Sequence, residues 1–205
     1  MHVIGLTGQS GSGKSLLSQR FLTRGIPVLD ADQISHQVTE SDLDCLKALR
    51  EKFGSHIFDE AGKLSRKKLG TVVFSSPDKL NLLNVTVFPF ITQEIERQIR
   101  TAEAEKNTLL LLDAPTLYEA GADRFCSYVI AVCAPFELRL ERVIKRDMIT
   151  REAALLRLSA QKEDDFYRTR ADYVICNKGT EKELIQKADE MIDLLIRRFS
   201  LPDVR

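Results

Sequence analysis

The chain has 205 residues, room for one well-packed domain (1–205) with at most small insertions. Its 30 lysines and arginines balance 30 aspartates and glutamates, so no net field marks it as a partner of nucleic acid or of an anionic membrane. Cys45, Cys126, Cys133 and Cys176 are scattered, without a C-x-x-C pair or a histidine cluster, which argues against a disulfide framework or a thiolate metal site. No apolar run approaches membrane-spanning length. The N-terminal one is broken by residues 8–15 before it could serve as a signal sequence. The expectation is a cytoplasmic protein, monomeric or weakly homo-oligomeric, with no nucleic-acid or membrane partner.

The apolar run at residues 3–6 leads into Gly8-Gln9-Ser10-Gly11-Ser12-Gly13-Lys14-Ser15, then a helical pattern with Leu17 and Phe21 on one face. Strand, glycine-rich loop and helix in that order form the phosphate-binding pattern G-x-x-x-x-G-K-[ST]. Glycines let the loop curl so that successive N–H groups point at phosphate oxygens. The helix N-terminus beyond adds its partial positive charge. Lys14 can reach the outer phosphates, and the Ser15 hydroxyl can ligate Mg²⁺. The predicted ligand is a nucleoside triphosphate. The helix should span 13–24, with Gly25 as its C-terminal cap. Residues 26–30 read as a short second strand that delivers Asp30 and Asp32 where open α/β sheets place their chemistry. Asp30 is assigned to capping the next helix. Asp32 is then the candidate for a general base or a water-mediated Mg²⁺ contact.

Residues 33–107 turn helical. Predicted helices begin at Ser41, with Leu43, Leu46 and Phe53 inward; after a cap at Ser65; at Ser76-Pro77; and at Pro89, with Ile91, Ile95 and Ile99 spaced by four. This block exceeds what a crossover needs and predicts a helical lobe covering a second substrate. Residues 108–113 are a continuous apolar run ending in Asp113, the pattern of a buried parallel strand carrying a metal-associated carboxylate. Residues 128–133 and 172–176 read as fourth and fifth strands. Residues 180–199 close the chain as a helix, with a capping box at Thr180 and Glu183 and with Leu184, Ala188, Met191, Ile192 and Leu195 facing in. Strands alternating with helices predict an α/β, P-loop-type parallel sheet of about five strands with helices on both faces. Between the last two strands, residues 137–170 read as a charged helical hairpin containing Arg139, Arg142, Arg146, Arg151 and Arg157. Arg142 and Arg146 share a helix face. They can clasp phosphate oxygens as this lid closes over ATP.

With these residues in view, nearly the whole chain resembles the dephospho-CoA kinase family. Ile4-Gly5-Leu6-Thr7-Gly8 through Ser15 is similar to that family's opening, and Asp30-Ala31-Asp32 to its D-A-D after the second strand. Leu64-Ser65-Arg66 with Leu69, Val73 and Phe74 resembles its helical-lobe motif. Asp113-Ala114-Pro115 with Leu117 and Glu119 resembles its D-x-P-L-L-[FY]-E. Arg142, Arg146 and Gln161 fall where its lid has arginine, arginine and glutamine, and residues 171–179 match its A-D-x-V-I-x-N-x-G.

The resemblance implies that ATP, with Mg²⁺, phosphorylates the ribose 3′-hydroxyl of dephospho-CoA to give CoA and ADP, the last step of coenzyme A biosynthesis. It implies Asp32 as the base, with Lys14, Arg142 and Arg146 neutralising charge during transfer. Gly8, Gly11, Ser12, Gly13, Lys14, Ser15, Leu16 and Asn177 would surround the nucleotide, with Ser15 on the metal. Asp32, Arg66, Asp113, Pro115, Leu117 and Glu119 would seat the acceptor. Four positions depart from the family's pattern: His36 for an arginine, Phe88 for the histidine of an H-P pair, Thr116 for a leucine, and Tyr167 near an expected lysine. The first two lie close to the acceptor side, so a kinase of another nucleotide or small hydroxyl-bearing metabolite is the alternative. A GTP-dependent switch fits less well. Asn177-Lys178-Gly179-Thr180 lacks the carboxylate of a guanine-reading N-K-x-D, and Asp113-Ala114-Pro115-Thr116 lacks a glycine to sense the γ-phosphate.

Overall fold

The computed structural model describes residues 1–73 and 75–201; Phe74, part of the helical-lobe motif, lies outside the described residues. Among these, β1 (His2–Gly8), β2 (Val28–Asp30), β3 (Leu109–Asp113), β4 (Tyr128–Cys133) and β5 (Tyr173–Cys176) form one sheet in the order β2-β3-β1-β4-β5. Every pairing in it is parallel. Along β3 the side chains alternate between two cores, as the two-residue period of a strand requires. Leu110 and Leu112 join Val3, Ile34, Leu49, Ile91 and Ile95 on one face, while Leu109 and Leu111 join Ile4, Leu17, Phe21, Leu184 and Ile192 on the other. A strand covered on both sides has no polar face, which explains its unbroken leucines.

The helices are α1 (Lys14–Thr23), α2 (Ala31–Ser41), α3 (Leu43–Phe53), α4 (Arg66–Val73), α5 (Pro77–Ala104), α6 (Phe136–Asp147), α7 (Arg151–Ser159), α8 (Asp164–Arg168) and α9 (Glu181–Arg198). α1 and α9 cover one face of the sheet and α2 to α5 the other. The capping box of α9 is formed: Glu183 N donates to Thr180 Oγ1 at 3.3 Å and Thr180 N to Glu183 Oε2 at 2.9 Å. α6 and α7 make the expected hairpin around a small core of Leu140, Val143, Ala154 and Leu158, with the short α8 following.

Two helix starts differ from the sequence reading. Ser41 ends α2 rather than opening α3, because Ile34, Val38 and Thr39 are buried and keep residues 31–41 helical. Asp42 caps α3 instead, accepting from Cys45 N at 2.9 Å. That start turns Cys45 and Leu49 inward with Phe53 and leaves Leu43 80% exposed. Nor does Pro89 begin a helix; α5 runs through it for 28 residues. Proline inside a helix costs about 3 kcal/mol. Val87, Ile91 and Ile95, on the buried stripe either side of it, each contribute about 1.5 to 3 kcal/mol by burial, which outweighs that cost. Pro89 and Val85, whose carbonyl the ring cannot meet, are both exposed, so water can take the unpaired oxygen.

Candidate active site

The C-terminal ends of β1, β2 and β3 share an edge of the sheet: Leu6 pairs with Asp113, and Asp113 with Asp30. A cavity of about 580 Å³ opens there. Its wall is made by Ser10, Gly11, Gly13, Lys14 and Ser15 of the loop after β1, by Asp30, Asp32, Asp113 and Pro115 at the strand ends, by Arg142, Arg146 and Arg157 of the hairpin, and by Glu181 at the start of α9.

The loop is held in a shape that only glycine permits at Gly8, Gly11 and Gly13. Gly8 has φ 135°, and a Cβ there would lie 2.2 Å from the Val132 carbonyl oxygen. Gly13 has φ 108°, and its Cβ would lie 2.6 Å from Asn177 Nδ2. That close approach has a purpose, because buried Asn177 donates from Nδ2 to the Ser12 carbonyl at 2.7 Å. The hairpin holds the loop as well. Gln161 Nε2 donates to Ser10 Oγ at 2.7 Å and its Oε1 accepts from Ser10 N at 3.1 Å, while Gln9 Nε2 donates to the Lys162 carbonyl at 2.8 Å. Arg142 Nη1 donates to the Gly11 carbonyl at 3.2 Å. The loop backbone is thus fixed before any ligand arrives, and its N–H groups need little reorganisation to meet an anion.

Lys14 folds back on this loop, donating from Nζ to the Gly8 carbonyl at 2.7 Å and the Gln9 carbonyl at 3.2 Å. Burial lowers its pKa from the ordinary lysine value, and the Asp113 and Asp32 charges oppose that shift. The three carboxylates have different duties. Asp30 caps α2 as expected, its Oδ1 accepting from Asp32 N at 2.8 Å and Gln33 N at 3.1 Å. The Asp32 carboxylate takes no hydrogen bond among the described residues. Desolvation and the neighbouring Asp30 charge raise its pKa, while Lys14 pulls the other way. Asp113 accepts from Ser18 Oγ at 2.5 Å through Oδ2, while its Oδ1 is buried without a hydrogen-bond partner among the described residues. An orphaned carboxylate oxygen beside Ser15 on the same wall suits water held by Mg²⁺, which keeps several waters and takes few protein ligands. No cluster of three or more histidine, cysteine, aspartate or glutamate side chains suited to an all-protein metal site occurs among the described residues.

Some sequence candidates lie off the cavity wall. Ser12 is buried, and Leu16 packs against the core under α1 and α9. Gly8 and Asn177 shape the loop from behind. Leu117 is fully buried, and Glu119 sits at an exposed position of the turn after β3. Arg66 donates to the His36 carbonyl at 3.2 Å and to Thr39 Oγ1 and Glu40 Oε1 at 3.3 Å, binding α4 to α2. Phe88 packs against the core beneath α2 to α5, and Tyr167 is buried beside Ala131 and Cys133. The sequence reading did not single out Ser18 or assign Arg157 and Asp147 a place in the site. Arg157 differs from the other hairpin arginines only in where the hairpin folds it, and no spacing rule marks a serine one helical turn after Lys14.

The chain is similar to known proteins in both sequence and fold. Residues 2–183 match the family model described as dephospho-CoA kinase. A dephospho-CoA kinase of Bacillus licheniformis is 37% identical over 93% of this chain and 95% of its own length. That of Lactobacillus johnsonii is 35% identical over 93% and 96%. Among solved structures, dephospho-CoA kinase from Campylobacter jejuni superposes with a TM-score of 0.70 at 25% identity, covering 94% of this chain and 96% of that one. TT1252 from Thermus thermophilus gives 0.77 at 30% identity, covering 96% and 97%.

Proposed function

The chain belongs to the dephospho-CoA kinase family, and from that premise we propose how its own residues carry the reaction. Its activity is phosphorylation of dephospho-CoA at the ribose 3′-hydroxyl to give coenzyme A, the last step of coenzyme A biosynthesis. ATP is the donor. The observation that carries the mechanism is a carboxylate with no hydrogen bond among the described residues, Asp32, sharing one cavity wall with Lys14 and three arginines. Loop amides and Lys14 bind the phosphates, Lys14 exchanging its loop carbonyls for phosphate oxygens. Ser15 and Asp113 are the residues that would hold Mg²⁺, which would supply neutralisation of the charge that develops in transfer. Asp32 accepts the acceptor hydroxyl's proton as that oxygen bonds to the γ-phosphorus. The bond from the γ-phosphorus to the β,γ-bridging oxygen breaks and ADP leaves. Arg142, Arg146 and Arg157 stabilise the charge spread over the transferring group.

Incubation with ATP, Mg²⁺ and a panel containing dephospho-CoA, nucleosides and small hydroxylated metabolites tests this reading. Mass spectrometry should show CoA and ADP formed in equal amounts, with the new phosphate on the ribose 3′ position. Faster phosphorylation of another acceptor would overturn it.

A further inference from the structure

Asp147 ends α6, and a carboxylate there opposes the helix macrodipole, whose C-terminal end already carries partial negative charge. The next residue, Met148, adopts the left-handed region (φ 52°, ψ 39°) and turns the chain towards α7, which Thr150 caps. Neither the helix end nor the turn calls for an acid at this position. The acid instead joins two helices at the cavity wall. Its Oδ1 accepts from Arg146 Nε at 2.7 Å, and its Oδ2 from Arg146 Nη2 at 2.9 Å and Arg157 Nη1 at 2.7 Å. Both arginines line the cavity that holds Lys14 and Asp32.

A guanidinium has five N–H donors in a fixed plane. Arg146 spends two of them on Asp147 and Arg157 one, so each keeps donors for phosphate oxygens while its plane is set by the carboxylate. We propose that Asp147 is a positioning residue, holding Arg146 and Arg157 as one oriented pair that faces the transferring phosphate. The inference rests on the phosphoryl-transfer reading given above. Asp147 also lets two like charges share the wall before nucleotide binds. The pair is not what folds the hairpin, which has its own core of Leu140, Val143, Ala154 and Leu158. Both arginine side chains are 53% exposed, and ion pairs so exposed add little to stability. Loss of Asp147 should therefore show in rate rather than in folding.

A double-mutant cycle of Asp147→Asn and Arg146→Ala tests this, reading kcat, KM for ATP and the thermal midpoint. Asp147→Asn should keep the wild-type midpoint and change KM for ATP by less than about threefold, while kcat falls about tenfold. In the Arg146→Ala background the same change should cost clearly less, because its main partner is gone. An unchanged kcat, an equal loss in both backgrounds, or a loss that follows a lowered midpoint would overturn the role of Asp147. A wild type that transfers no phosphate would overturn the functional reading along with it.

Discussion

Asn177 and the loop carbonyl it grips lie 165 positions apart in sequence, yet their hydrogen bond is among the shortest in the site, at 2.7 Å. Truncation to Asn177→Ala would leave the Ser12 carbonyl without that partner in a buried place, a loss of about 1 to 3 kcal/mol. The urea midpoint of Asn177→Ala should fall accordingly, and ATP affinity should fall with it because the loop loses its brace; unchanged stability would contradict this account of the clamp. At the residue scale the sequence pointed to the groups proposed to meet phosphate, because a glycine-rich loop followed by lysine and serine is the phosphate-binding pattern. Asp32 was singled out for a related reason. With Asp30 used as a helix cap, the second carboxylate after β2 had no structural duty left, and the structure leaves it without a hydrogen bond among the described residues. Arg157 and Asp147 were not legible as a pair, since ten residues separate them and only the packed hairpin closes that gap.

At the scale of elements, α5 shows tertiary burial overriding local preference. Proline is cheapest in the first turn of a helix, so Pro89 reads as a start. The apolar stripe of Val87, Ile91 and Ile95 continues across it and keeps the helix whole. Because Pro89 is exposed and its ring packs little, Pro89→Ala should raise stability by about 2 kcal/mol. That is the interior penalty of about 3 kcal/mol less roughly 1 kcal/mol of unfolded-chain entropy that alanine restores. Chemical denaturation measures it, and a destabilised variant would mean that the proline itself is needed at this point of α5. Asp42 taking the cap from Ser41 follows the same logic: both residue types cap well, and the burial of α2 decides which is free to do so. β3 and β4 were legible almost residue by residue because continuous apolar runs of that length suit strands covered on both faces, whereas β1 and β2 differ from the apolar runs by two or more residues.

On the scale of the whole molecule, the chain leaves β1 for β2 and β3 on one side and then crosses to β4 and β5 on the other, so the glycine-rich loop sits where the strand order reverses. Open α/β sheets bind ligands at such a point. Apolar runs name strands but not their neighbours, which is why the order itself had to come from the structure. The same arrangement sets a pH signature. Desolvation in the cleft and the Asp30 charge raise the Asp32 pKa, so the proposed base is protonated on acidification at a higher pH than an ordinary aspartate would be. The sign for stability is opposite. A raised carboxylate pKa favours the fold below the unfolded-state pKa, and that contribution is lost as pH rises through the folded one, so Asp32→Asn should be at least as stable as wild type at neutral pH. The most direct test of Asp32 as the base is the single-turnover rate of CoA formation against pH, for wild type, Asp32→Asn and Asp30→Asn, with ATP affinity measured alongside. Wild type should show an acid limb above the usual aspartate range. Asp32→Asn should lose that limb and transfer about 10²- to 10⁴-fold more slowly with ATP affinity unchanged, while Asp30→Asn stays closer to wild type. Transfer by Asp32→Asn at the wild-type rate, with the acid limb intact, would contradict it.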